Sequence, residues 1–225
     1  GADRKVIAIK SSELEALVTE FDKFMMAASS WRGITDTNRN YKVENAEQHA
    51  KYELVQDFIS YLPQYEYVDP DGFNFFGVFM NPIIDKLPER KVELKLKDLQ
   101  LPRALGYLGY ELGWKILDVE GDVGNYLGYR NSGRIILKGN AGDHVAHEMK
   151  NGIIEITGDV GSNLGCSMKD GEVIINGNTG KDVSWSMEGG IIRINGDYKG
   201  IAQRNGGRVY DKGGKEVHYK PSSSY

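Results

Sequence analysis

The sequence predicts an α+β N-terminal region followed by a right-handed parallel β-helix, that is, a single-stranded solenoid. Glycine recurs at intervals of 18 or 19 residues from Gly121 to Gly196, each time directly after a five-residue segment with alternating side chains. A unit of this length cannot bury its apolar face alone, so the units must stack into one structure. The structural glycines of this array are Gly121, Gly124, Gly139, Gly142, Gly158, Gly161, Gly177, Gly180 and Gly196.

Five segments of the array are predicted to be equivalent strands, at 116–120, 134–138, 153–157, 172–176 and 191–195. Their second and fourth positions are always aliphatic, while the charged and polar residues fall on the first, third and fifth. Successive side chains of a strand point to opposite faces, so positions two and four are expected to line a core. Two further apolar columns are expected in each coil: Leu127, Val145, Leu164 and Val183, and then Met149, Met168 and Met187.

The handedness of the coil is predicted from a general rule, because connections between parallel strands are overwhelmingly right-handed. The rival architecture is the left-handed hexapeptide helix, whose coil of about 18 residues is close to this period. That helix needs an aliphatic residue at every sixth position. Counting on from Ile135 gives Ala141 and then His147, so the sixfold pattern fails.

Two helices are predicted in the N-terminal region. Ser11 and Ser12 offer a cap for a first helix, whose apolar residues from Leu14 to Met25 follow at helical spacing. A second helix is predicted over residues 46–62, which carry one apolar stripe and end at Pro63.

The rest of the N-terminal region is predicted to be short strands and loops. Residues 6–10 alternate like a strand, and residues 31–42 are polar and loop-like. A turn signal at 69–72 precedes an aromatic run at 73–79, which we interpret as core rather than as a ligand platform. Alternation at 92–96 predicts a half-exposed strand that leads toward the array.

The predicted boundaries are residues 1–98 for the N-terminal domain, 99–213 for the β-helix and 214–225 for a C-terminal tail. The ends of the array are irregular, as terminal repeats usually are. The motif from Gly106 to Gly113 resembles the repeat but has no aliphatic strand directly before it. At the other end we expect the chain to fray from Lys212.

Composition narrows the classes of function. A formal net charge of −4 argues against a nucleic-acid partner or an anionic membrane surface, both of which attract basic proteins. No run approaches the roughly 20 apolar residues of a membrane span. The single cysteine, Cys166, allows no disulfide within the chain, so a reducing cytoplasm is the expected compartment. Cys166 itself is expected to be a small buried side chain.

The motif Gly-x-x-Gly-x-x-x-Gly resembles the glycine-repeat family that forms the C-terminal β-helix of the glutamate synthase large subunit, and one of the subunits of formylmethanofuran dehydrogenase is similar. It stands at Gly121 and at Gly158, in phase with the strands, and the resemblance covers about residues 105–210. The third glycine is replaced by Ala146 and by Ser184 in two coils. The resemblance implies a structural and interdomain element, because the catalytic motifs of those enzymes lie in other domains.

Two groups of residues are candidates for chemistry. His144 and His147 are weak candidates for a metal site, but residues three apart in a strand point to opposite sides, which favours two exposed histidines instead. Asp118, Glu155 and Arg193 share the outward third position, on alternate strands, with Ile136 and Ile174 between them. A carbohydrate-active lyase or hydrolase, the alternative function, would need carboxylates of this kind to converge. A ladder that alternates charged and apolar residues instead suits a face packed partly against the N-terminal domain.

The preferred function is therefore a noncatalytic scaffold that assembles protein subunits or domains. No catalytic residue, cofactor site or metal is predicted. The expected partners are proteins or further copies of the chain, as in a redox or amidotransferase complex. A bulky column of Tyr129, His147, Cys166 and Trp185 is either a docking surface for a partner or the seat of the N-terminal helices.

Overall fold

The computed structural model describes residues 11–28, 30–31, 43, 50–65 and 70–220, and every structural statement below refers to these residues. The predicted strand at 6–10 and nearly all of the predicted loop at 31–42 lie outside them. None of the helices in the described part of the chain has the length and apolar composition that a membrane crossing requires. The helices are α1 (Ser12–Ala28), α2 (Tyr52–Tyr61) and α3 (Phe76–Lys86), with 3-10 turns at Leu62–Gln64 and Pro70–Phe75.

Seven strands form one sheet in which every neighbouring pair is parallel and follows sequence order. They are β1 (Lys91–Lys95), β2 (Ile116–Glu120), β3 (Arg134–Lys138), β4 (Ile153–Ile156), β5 (Glu172–Ile175), β6 (Ile191–Ile194) and β7 (Arg208–Tyr210). Each residue pairs with its equivalent one coil away, as Leu117 pairs with Ile135 and Ile135 with Ile154. The predicted parallel β-solenoid is confirmed, at about 29 Å for seven strands spaced by about 4.8 Å. The right-handed sense stays a prediction.

The first coil is longer than the others, and its strand is β1. Val92 of β1 pairs with Leu117, 25 residues later, whereas Ile135 and Ile154 are 19 apart. The extra residues form the loop around 97–104. The motif at Gly106 therefore does have a strand, which ends at Lys95 rather than directly before the glycine. Strand β1 lies within residues 1–98, the range predicted for the N-terminal domain, although it pairs with the solenoid. The predicted division of the chain into domains stays a prediction.

The interior of the solenoid consists of the predicted aliphatic columns. All seven second-position residues are fully buried, and the fourth-position residues of β1 to β6 are at most 1% exposed. The two columns from the rest of the coil are equally buried, including all three methionines. One continuous apolar core runs from α1 through the sheet to β7.

The helices pack an aromatic core against the first coil. Ser11 caps α1, since its Oγ accepts the backbone N–H of Leu14 at 3.1 Å. Of the predicted helix at 46–62, residues 46–49 lie outside the described range, and Ala50 is not helical, so the described helix begins at Tyr52. The helix α3 was not predicted from the aromatic run. That run is buried, which confirms its interpretation as core.

Both open edges of the sheet are covered. The free edge of β1 meets α2, where the hydroxyl of Tyr52 accepts the N–H of Glu93 at 3.3 Å and Gln56 Nε2 donates to the Glu93 carbonyl at 2.7 Å. At β7 the chain turns back, and the N–H of Val217 donates to the carbonyl of Val209 at 2.9 Å. The expectation that the chain frays from Lys212 is therefore wrong up to residue 217. Covered edges block end-to-end stacking of solenoids.

A side-chain ladder holds the glycine corners together. In one corner each Asp or Asn side chain accepts the backbone N–H one coil ahead, at 2.6–2.9 Å. The accepting side chains are those of Asp122, Asn140, Asp159 and Asn178, and the ladder ends at the backbone N–H of Asp197, which donates to Asn178. The ladder thus gives the backbone donors of these corners acceptors from within the repeat itself.

A size match links the third glycine of each coil to a strand residue of the interior. A Cβ at Gly128 would lie 2.4 Å from Cδ1 of Ile154, and a Cβ at Gly165 would lie 2.4 Å from Cδ1 of Ile192. Where the glycine is replaced, the strand residue at the equivalent register is one methyl group smaller. Those two replaced pairs are Ala146 with Val173 and Ser184 with Val209, all fully buried. The interior volume of each coil is thereby conserved.

This match predicts that Gly128→Ala destabilises the protein and that adding Ile154→Val restores part of the loss. The new Cβ overpacks the core, at an expected cost of about 1–3 kcal/mol. Gly128 also has a φ of +69°, so the alanine carries a backbone strain that Ile154→Val does not relieve. Removing Cδ1 from residue 154 makes room for it, as in the coil of Ala146. Urea unfolding of both single variants and the double variant measures the coupling, expected at about 1 kcal/mol or more. Additive effects of the two substitutions would contradict the size match.

Candidate functional site

One side of the solenoid carries a stack of aromatic rings. Tyr107, Tyr126 and His144 occupy the same position in successive coils, and their ring centroids are 4.5 and 4.6 Å apart with nearly parallel planes. Phe75 extends the stack into the N-terminal region, with its centroid 5.3 Å from that of Tyr107. The coil spacing therefore sets the ring spacing, and the stack joins the helices to the solenoid.

A second stack runs beside the first. Tyr110, Tyr129 and His147 are again in register, at centroid separations of 5.7 and 5.4 Å. The column continues through Cys166, which is 1% exposed, to Trp185, which is 55% exposed. Thus most of the bulky column that the sequence singled out is buried against the first stack, and only its last member faces solvent.

The backbone that carries these rings is unusual. Tyr107, Tyr126 and His144 all have φ between 54° and 62°, in the left-handed region that such residues seldom enter. Positive φ recurs further along the same segment of the coil, as at Arg130 and Glu148. Backbone hydrogen bonds to the neighbouring coils, such as Tyr126 N–H to the Asp143 carbonyl at 2.8 Å, over-determine this geometry. The strain belongs to the repeat rather than to one site.

The expectation that His144 and His147 point to opposite sides is wrong. Their ring centroids are 5.6 Å apart on the same side of the coil. The segment is not an extended strand, because His144 and Ala146 both have positive φ, and this brings residues three apart together. Nor are the two rings exposed, since both are half-buried.

The histidine pair is held in its neutral form. Burial lowers the pKa of both imidazoles, and the nearby carboxylates of Asp143 and Glu148 only partly oppose this. Each Nδ1 is buried and makes no hydrogen bond within the described residues. Neutral imidazole is the form that binds metals. Within the same described ranges, however, no group of three or more His, Cys, Asp or Glu side chains could hold a metal ion.

The thiol next to the histidines is not activated. Burial raises the pKa of Cys166, and the negative charge of Glu148 raises it further, against a weak contact from Ser167. A nucleophilic cysteine needs the opposite shift, toward the thiolate. Arg130, the cation beside Glu148, forms ion pairs with Glu111 at 2.9 Å and with Glu148 at 3.5 Å.

The outward face of the sheet keeps its carboxylates in ion pairs. Asp118 is 9% exposed and contacts Lys91 at 2.8 Å and Lys138 at 3.4 Å. Glu155 pairs with Arg134 at 2.6 Å. Burial by itself would raise the pKa of Asp118, but hydrogen bonds from the two lysines outweigh burial and lower it. Asp118, Glu155 and Arg193 thus lie on one face, as predicted, but they belong to separate ion pairs and do not converge.

The same face carries five isoleucines, which we call the isoleucine face. Ile116, Ile153 and Ile191 occupy the first position of β2, β4 and β6, and Ile136 and Ile174 occupy the third position of β3 and β5. All five are partly exposed, whereas the isoleucines of the interior are fully buried. They form a zigzag stripe across five adjacent strands.

A buried lysine joins α3 to the sheet. Lys115 is fully buried, and its Nζ donates to the carbonyls of Leu87 and of Glu89, the latter at 2.9 Å. Leu87 is the C-cap of α3, so the ammonium sits at the negative end of the helix dipole. Burial lowers the pKa of Lys115 and raises that of Asp85 nearby, each partly offset by the charge of the other. No pattern in the sequence pointed to this cluster.

Comparisons with protein-family models, with curated proteins and with solved structures return no match for this chain. The sites above are therefore interpreted from their own geometry.

The histidine pair predicts a loss of stability on acidification. Because the folded pKa values lie below the ordinary value of 6.5, the unfolded chain takes up protons first. This contribution to stability is complete above pH 6.5 and is lost as the pH falls through the folded values. Replacing both residues, as His144→Tyr and His147→Tyr, extends the tyrosine columns and removes the titration.

Thermal unfolding between pH 7.5 and 5 checks this. We expect the wild-type midpoint to fall by a few degrees more than that of the double variant. The exposed His218, replaced as His218→Gln, is the control for the loss of a histidine outside the pair. Equal slopes for wild type and double variant would contradict the assignment.

Lys115→Met is predicted to weaken the attachment of the helices. The unbranched stem is kept, but the carbonyls of Leu87 and Glu89 lose their buried donor, at an expected cost of about 2 kcal/mol. Urea unfolding measures the loss, and the exposed Lys169→Met is the control. A loss no larger than that of the control would show that Lys115 is dispensable there.

Proposed function

We propose that this chain is a noncatalytic assembly module, which binds other protein chains through its lateral surface. The observation that carries the proposal is the isoleucine face. A continuous stripe of partly exposed apolar side chains can mark a protein-binding surface. Here they are presented by a rigid sheet that needs no ordering when a partner binds.

The rest of the molecule supports a lateral docking mode. The two edges of the sheet are covered, by α2 and by the turn at 211–217. The aromatic stacks are engaged with each other and with the N-terminal region. On the isoleucine face the charges are paired within the chain, as Arg134 with Glu155 and Arg193 with Glu172 at 2.8 Å, so a partner meets a nearly neutral surface.

The kind of complex is a further part of the proposal. The glycine-repeat resemblance of about residues 105–210 favours a redox or amidotransferase assembly, in which the β-helix holds domains or subunits together. Only the repeat motif supports this part, and a cytoplasmic location is proposed with it from the single unpaired Cys166.

The carbohydrate-active alternative is not favoured by the outward face. A general acid for glycoside cleavage needs a raised pKa and a second carboxylate near it. The pKa of Asp118 is lowered instead, by hydrogen bonds from Lys91 and Lys138 that outweigh its burial. The carboxyl whose pKa burial raises, Asp85, lies beside the buried Lys115 rather than on a sugar-binding surface.

Affinity capture with three baits tests the proposal. The baits are the wild-type chain, the face variant Ile136→Asp with Ile174→Asp, and the control Ser132→Asp with Asn151→Asp, whose positions are exposed at a corner of the coil. We expect proteins, or untagged copies of the chain, to be retained by the wild type and the control and lost from the face variant. Matching thermal midpoints of the baits show that folding is preserved.

A second measurement addresses the alternative. The wild-type chain is incubated with a panel of acidic and neutral polysaccharides, and new reducing ends are measured. Retention of nothing by any bait, together with release of reducing ends, would overturn the assembly module in favour of an enzyme. Equal retention by all three baits would reject the isoleucine face as the docking surface.

A further inference from the structure

Apolar and charged side chains alternate in a regular pattern on the isoleucine face. In β2, β4 and β6 the first position is isoleucine and the third is charged, with Asp118, Glu155 and Arg193. In β3 and β5 the order is reversed, so that Arg134 and Glu172 stand in the first position. The face is a checkerboard of apolar and charged side chains centred on β4.

We propose that the occupant of this face is a second copy of the chain, related by a twofold axis that runs parallel to the strands and passes over β4. This inference rests on the proposed function and names its partner. Such an axis keeps the position along the strand and reverses the order of the strands. Strand β3 then faces β5 of the partner subunit, and β2 faces its β6. Isologous contacts of this kind are the commonest in homo-oligomers.

The axis brings every isoleucine of the face onto another isoleucine. Ile153 meets Ile153 of the partner subunit at the axis. On either side of it, Ile136 meets Ile174 of the partner subunit, and Ile116 meets Ile191 of the partner subunit. The apolar stripe is therefore buried along its whole length, with no charged residue opposite any member.

The same axis pairs opposite charges in four places. Arg134 faces Glu172 of the partner subunit, and Asp118 faces Arg193 of the partner subunit, and the symmetry repeats both contacts. Each of these residues already has an ion-pair partner within its own chain. Across the interface the pairs extend into networks, which suit a buried charge better than an isolated pair does.

Like charges meet in three places, once at the axis and once at each margin, and each of these contacts is moderated. Glu155 faces its own copy at the axis, but each carboxylate keeps Arg134 of its own chain at 2.6 Å. At the margin Lys91 faces Arg208 of the partner subunit, where Lys91 is bound by Glu93 at 2.7 Å and by Asp118 at 2.8 Å. The marginal contact is exposed to solvent and salt, which weaken it.

Other twofold axes fit the checkerboard worse. A twofold axis that passes between two strands sets each isoleucine against a charged residue. The same is true of an axis perpendicular to the strands that exchanges their first and third positions. An axis over β3 opposes Asp118 to Glu155, and an axis over β5 opposes Arg134 to Arg208, which are like charges in both cases. Only the axis over β4 matches apolar with apolar and opposite with opposite throughout strands β2, β3, β5 and β6.

The size of the face is close to the minimum for a specific contact. The seven strands have three to five residues each, and at about 4.8 Å by about 3.4 Å per residue they cover roughly 490 Å². Two such faces remove a total of about 1,000 Å² from solvent, which is about the lower limit for a specific interface. Two sheets pack face to face at a separation of about 10 Å.

Site-specific cross-linking tests the axis itself. In a Cys166→Ser background, Ile153→Cys places a thiol opposite its own copy, and a short bismaleimide should join the two chains. The matched control is Ile191→Cys, in the same column and also partly exposed. Its copy lies four strands, about 19 Å, away along the stack. That control should not cross-link with itself but should cross-link with Ile116→Cys when the two proteins are mixed.

Sedimentation equilibrium measures the association directly. We expect the mass of two chains for the wild type, and a dissociation constant raised more than about tenfold by Ile153→Asp. Cross-linking of the Ile191 variant alone, but not of the Ile153 variant, would overturn the axis over β4. A monomer at all concentrations would overturn the dimer, while the assembly module would still stand if the capture baits differ as expected.

Discussion

Parallel hydrogen bonding between strands one coil apart is the constraint on which this structure depends. It places each residue directly over its equivalent in the next coil, at about 4.8 Å. Any side chain that recurs at the period is thereby stacked on its own kind. This geometry aligns aliphatic residues into the interior columns, Asp and Asn residues into the corner ladder, and aromatic residues into the two stacks. It also aligns the outward isoleucines of the isoleucine face.

The stacking also shifts the pKa values of several reactive residue types. Tyr126, His144 and Cys166 lie in ordered columns, where burial raises the pKa of the tyrosine and the thiol and lowers that of the imidazole. Each shift favours the neutral form. A catalytic group needs a shift toward the reactive form and an open approach. The columns give rigidity in place of reactivity, which suits a module that other chains bind.

Rigidity and covered edges shape the way such a module can assemble. A solenoid with open ends would extend into a filament, because its edge strands would pair with any copy. Here α2 takes the free backbone groups of Glu93, and Val217 bonds to β7. The proposed assembly is therefore confined to lateral surfaces, where a twofold contact would close upon itself.

The sequence by itself determined the five central strands, their interior columns and the burial of Cys166, because these depend on a period of two within a strand and on the coil period. Only the tertiary structure decided that His144 and His147 lie together, that Val92 belongs to the first coil and that Lys115 is buried. Each of these depends on backbone that neighbouring coils impose. Local sequence does not predict a positive φ for tyrosine or histidine, and Pro82 weakens the sequence signal for α3. Contacts between residues distant in sequence fix these backbone conformations.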